Sequence, residues 1–91
     1  MIEKRRGKLE IIADILSSIQ DKEGKIKPTH LLYKSNLSHA KLKEYLDILL
    51  KKGMIEEKLV EGKKMFFMKD QGHKFLSEFE RIKEFSDSFG L

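Results

Sequence analysis

The residues able to do chemistry in this 91-residue sequence are mainly bases, with a few hydroxyls and imidazoles, and they gather in four places. Arg5, Arg6 and Lys8 form the densest cluster. Lys27, Thr29 and Lys34 surround the single proline, Pro28. Ser38, His39, Lys41 and Lys43 follow within six residues, and Lys63 and Lys64 stand beside Gly62. Guanidinium groups grip phosphate with two donors at once, whereas ammonium groups act as point charges. Lysine and histidine also donate to base edges, and serine donates to phosphate. The chemistry these residue types suit is contact with a phosphate backbone.

Other chemistries lack their residues. His30, His39 and His73 are the only imidazoles, and no two stand three or four residues apart as a helical metal site needs. Without cysteine there is no disulfide framework, thiolate nucleophile or thiolate metal ligand. No Ser/His/Asp order, glycine-rich phosphate loop or H-E-x-x-H motif occurs, so neither an enzyme nor a cofactor site is expected. No apolar run approaches the ~18 residues of a membrane helix, and no signal-like stretch follows the basic N-terminus. A soluble, cytoplasmic protein is the expectation. Its 19 Lys and Arg against 15 Asp and Glu give +4, and the balance is uneven: the first 52 residues carry +5 and the remainder −1. That asymmetry is consistent with a nucleic-acid face in the N-terminal half.

The elements that must position these groups follow from apolar period. Leu9, Ile12, Ala13, Leu16 and Ile19 mark one face of a helix from Lys8 to about Gln20, and Ile11 and Ile15 widen the stripe. Gly24 can then take a positive φ. Lys27-Pro28-Thr29 opens a short helix with Leu31, Leu32 and Tyr33 on its apolar side, ending at Ser35-Asn36. Ser38 caps a third helix to about Lys52, with Leu42, Tyr45, Leu46 and Leu49 inward and Gly53 just past its end. Residues 54–60 and 64–68 alternate about the turn Glu61-Gly62-Lys63, which makes a hairpin, and Ile26-Lys27 is a candidate third strand. Asp70 is expected to cap a last helix to about Phe89. Helix, short helix, turn, helix, hairpin, helix is the order of a winged helix-turn-helix, mainly α with a small β-hairpin.

Residues 27–57, KPTHLLYKSNLSHAKLKEYLDILLKKGMIEE, resemble the small archaeal winged-helix DNA-binding proteins. RRGKLEI at 5–11, EGKKMFFM at 61–68 and KDQGHKFL at 69–76 extend the likeness over nearly the whole chain. The resemblance implies a transcription regulator or chromatin-associated protein that binds double-stranded DNA as a homodimer through a C-terminal coiled coil. It implies a DNA-binding unit at 1–69 and a dimerisation helix at 70–91 within one compact domain. The third helix would enter the major groove, where helix N-termini reach deepest, with Lys63 and Lys64 of the wing beside it. A winged-helix module that binds a protein partner and no DNA is the alternative. The wing is charge-neutral over residues 56–64, and Glu44 and Asp47 would face a DNA backbone unfavourably.

The last helix carries Phe75, Phe79, Ile82 and Phe89 in a 4-3-7 spacing, with Phe85 alongside. A seam ~25 Å long is more than so small a domain can cover by itself, so self-association through these five residues is expected.

Overall fold

Pro28 and the glycines punctuate the chain much as the composition suggests, and the computed structural model describes residues 6–91. The first helix, α1, spans Lys8–Gln20 and buries Ile11, Ile12, Ala13, Ile15, Leu16, Ser18 and Ile19. So broad a buried arc marks a helix covered from two sides. Leu9 is the exception. It stands in the first turn of the helix, 55% exposed. Glu23 and Gly24 take φ of 60° and 86°, and the Gly24 N–H returns to the Ile19 carbonyl at 3.0 Å to close the helix.

Helix α2 spans Pro28–Ser35, with Pro28 in the first position, where its missing N–H costs nothing. Asn36 ends it in the left-handed region at φ 55°. Leu31 and Ser35 face inward. Tyr33, expected on the apolar side, is 85% exposed, because its place on the helix turns it away from α1 and the sheet. Helix α3 spans His39–Lys51, and the Ser38 hydroxyl accepts the Lys41 N–H at 3.1 Å.

Strands β1 (Lys25–Ile26), β2 (Ile55–Val60) and β3 (Lys63–Met68) form an antiparallel sheet in the order β1-β3-β2. The candidate third strand exists, shifted one residue back from the expected Ile26-Lys27, since Lys27 is the extended residue that precedes α2. Met54 likewise belongs to the end of α3 and not to β2: its N–H donates to the Leu49 carbonyl at 3.0 Å, with Gly53 at φ 71°. Val60 pairs with Lys63, so only Glu61 and Gly62 form the turn. Their φ of 53° and 78° are those of a type I′ hairpin, whose twist matches that of the strands.

Helix α4 spans Asp70–Ser88. Asp70 is not its cap, contrary to expectation. Extended Lys69 takes that place, with its N–H on the Met54 carbonyl at 3.0 Å, and Asp70 becomes the first helical residue, where its charge meets the positive end of the helix dipole. Leu76 is buried, and Phe75 and Phe79 pack half-buried on the core made by α1, Ile26, Leu31, Leu42, Leu46, Leu49, Ile55 and Phe66. Each large side chain buried there is worth about 1.5–3 kcal/mol. The two buried serines are satisfied locally, Ser18 by the Asp14 carbonyl at 2.8 Å and Ser35 by that of Leu32 at 3.3 Å. Among the described residues, no helix is long and apolar enough to cross a membrane.

Candidate nucleic-acid interface

The start of α3 is held firmly by Ser38, which leaves His39, Lys41 and Lys43 exposed on the first two turns while Leu42 and Leu46 anchor the helix from below. Beside it an open groove of about 280 Å³ runs between α2, α3 and the wing. Pro28, Thr29 and Leu32 of α2 form one wall, and Glu57, Lys64 and Phe66 of the sheet form another. His39, Leu42, Lys43, Leu46, Asp47 and Leu50 supply the α3 side. Four residues singled out by type alone, Thr29, His39, Lys43 and Lys64, thus converge on one concavity although 35 positions separate the first from the last. Its apolar floor of Leu32, Leu42, Leu46, Leu50 and Phe66 lies beneath a polar rim.

Several rim charges are paired within the chain. Lys41 Nζ lies 4.0 Å from Glu44, Lys43 lies 3.8 Å from Asp47, and Lys64 lies 3.7 Å from Glu57. All are exposed pairs, worth at most about 1 kcal/mol each, so each lysine can exchange its carboxylate for a phosphate at small cost. On the outer face of the wing Lys58 bonds Glu56 at 2.9 Å and sits 5.2 Å from the centre of the Phe67 ring. The hydrogen bond from Lys58 holds the Glu56 carboxyl below its usual range against the opposing effect of partial burial, and the charges of Lys58 and Lys69 add to it.

The remaining basic residues lie elsewhere. Arg6 is bound to Asp14 at 2.9 Å and lines a separate groove of about 330 Å³ between α1 and the far end of α4, with Glu10, Phe79, Ile82 and Lys83. Arg5 lies outside the described residues. Lys34 faces Asp21 at 3.8 Å, while Lys8, Lys27 and Lys63 have no ion pair among the described residues. Reading by residue type missed the apolar floor of the α3 groove. The signal was present in Leu42, Leu46 and Leu50, four residues apart on the flank of α3, but it reads equally well as core.

A three-helix unit with a hairpin set beside its third helix is a winged helix. The chain belongs to the winged helix-turn-helix family, whose model matches residues 5–87. Among solved structures it is similar to Sso10a-2, a DNA-binding protein from Sulfolobus solfataricus, with a TM-score of 0.79 and 25% identity over 92% of this chain and 85% of that one. F93 from STIV, a winged-helix DNA-binding protein, superposes with a TM-score of 0.75 at 15% identity, covering 88% and 92%. BpsR of Bordetella bronchiseptica, whose DNA binding is regulated by 6-hydroxynicotinic acid, matches at a TM-score of 0.72 and 12% identity. The match covers 81% of this chain and 54% of that protein. No curated protein sequence matches.

Proposed function

We infer that this protein binds double-stranded DNA as a homodimer and acts as a transcription regulator or chromatin-associated protein. The observation that carries the reading is the convergence of Thr29, His39, Lys43 and Lys64 on the groove between α3 and the wing, with Ser38, Lys41 and Lys63 next to them in sequence. In this reading α3 enters the major groove, where base edges carry a distinct donor and acceptor pattern, and the wing follows the backbone beside it. The DNA-binding Sso10a-2 and F93 share the fold, which supports it.

The proposed dimer interface is the far half of α4. Phe75 and Phe79 pack half-buried on the domain's own core, whereas Ile82, Phe85 and Phe89 are 68%, 66% and 66% exposed. Phe85 and Phe89 meet with tilted rings, centroids 4.9 Å apart, and leave their outer surfaces for a further partner. Residues 70–91 would then serve two purposes, the first turns closing the core and the last turns joining two copies.

Local pairing of Lys41, Lys43 and Lys64 with carboxylates favours the second reading, a module that binds a protein and no DNA. Fluorescence anisotropy with a generic duplex over a salt series separates the two, because phosphate contacts make affinity fall steeply with salt. If α3 enters the major groove, Lys41→Glu with Lys43→Glu should lower affinity by about tenfold or more at low salt with helix content unchanged. Equal affinity for the double variant would take α3 out of the interface, and no salt-dependent binding at all would leave the protein-interaction reading.

A further inference from the structure

Helix α2 carries two polar sides, and only one belongs to the α3 groove. Pro28, Thr29 and Leu32 line that groove, while Leu31 and Ser35 face the core. His30 and Lys34, four residues apart, form a row with Lys27, three residues before His30. At about 100° per residue this row lies across the helix axis from the groove-lining residues. Lys22, from the turn after α1, adds another ammonium group beside the row, and Asp21 at the end of α1 lies 3.8 Å from Lys34 Nζ. The imidazole is half-buried among these charges. Burial first, then Lys22, Lys34 and Lys27, hold its pKa below the ordinary 6.5. Asp21 offsets Lys34 alone, and Lys22 and Lys27 have no ion pair among the described residues.

We propose that Lys22, Lys27, His30 and Lys34 form a second phosphate-binding ridge, distinct from the α3 groove, and that the His30 imidazole takes up a proton when a duplex backbone occupies it. This rests on the DNA-binding reading above and adds a proton linkage to it. Without a ligand, three ammonium groups oppose a fourth positive charge, so the neutral imidazole is favoured. A phosphate oxygen brought against the ridge reverses the local potential and favours the imidazolium, which then donates a charge-assisted hydrogen bond to it. The sign follows from linkage. A pKa higher in the complex than in the free protein means that the complex binds more protons, so affinity rises as pH falls from about 8 to about 6.

The test is an NMR titration of the three imidazoles in the full chain, free and with a generic duplex at low salt, together with affinities at the two pH values. The expected result is a His30 pKa raised by about one unit on binding, which makes affinity up to about tenfold higher at the lower pH. His30→Gln should flatten that dependence, while His73→Gln, exposed on α4 and outside both the ridge and the α3 groove, should preserve it. A duplex that binds and leaves the His30 pKa unmoved overturns the ridge and spares the DNA reading. If no duplex binds, the DNA reading fails. The ridge is then judged with tripolyphosphate: a raised His30 pKa upholds it as an anion site, and an unmoved one overturns it too.

Discussion

Gly72 shows how one residue can govern the approach of two elements. It lies in the first turn of α4, buried against the end of α3, and its φ is not unusual, so the reason for glycine is space and not backbone freedom. A Cβ built there would collide with the Met54 carbonyl oxygen and lie 2.9 Å from the Met68 sulfur. The Met54 carbonyl cannot retreat freely, because it accepts the Lys69 N–H at 3.0 Å and so ties α4 to the end of α3. Gly72→Ala should therefore destabilise the domain by about 1–3 kcal/mol, the cost of overpacking, despite alanine's better helix propensity. Urea unfolding measures it. A midpoint equal to the wild type or higher would mean that α4 can slide to make room.

At the scale of the element, the wing leaves room for improvement. Its turn places Glu61 at φ 53°, a conformation that favours glycine and asparagine, and its charges nearly cancel through the Lys58–Glu56 and Lys64–Glu57 pairs. Asn-Gly is the preferred pair for a type I′ hairpin. Glu61→Asn should raise stability by about 0.5–1 kcal/mol in thermal unfolding, since it relieves a strained position without touching the core. It also removes one acid from between Lys58 and Lys63, so duplex affinity at low salt should rise and not fall. An unchanged affinity in anisotropy would place the wing tip outside the DNA contact.

For the whole molecule the decisive feature is where α4 leaves the core. Leu76 is buried, Phe75 and Phe79 are half-covered, and from Ile82 onward the apolar side chains stand in solvent. A substitution at Phe79 would damage the monomer's own packing along with any interface, so it cannot report on association alone. Ile82→Glu with Phe85→Glu addresses only exposed surface, and the charges would oppose each other across a symmetric contact. Sedimentation at tens of micromolar should show a dimer for the wild type and a monomer of unchanged helix content for the double variant. DNA affinity should fall with it, because two linked half-sites become two independent weak ones. A wild-type monomer would remove the interface proposed for this helix.

Much of this was legible in the sequence, for reasons particular to each element. α1 is bounded correctly at Lys8 and Gln20 because isoleucine and leucine recur at helical spacing and Gly24 stops the helix. α2 and α3 declare their starts through Pro28 and Ser38, local signals whose physics acts within one turn. Strand ends were read one residue off at Met54 and Lys63, since hydrogen bonds to α3 and across the turn decide them. The candidate contact residues could be chosen by type, but type says nothing of company. Folding brought Thr29, His39, Lys43 and Lys64 to one groove, bound Arg6 to Asp14 beside α4, and gathered Lys22 and Lys34 around His30. The heptad spacing of α4 likewise could not say which of its phenylalanines the domain would cover for itself. Period and caps are properties of neighbours along the chain, and the sequence determines them alone; proximity, burial and pairing belong to the packed chain, and only the tertiary structure decides them.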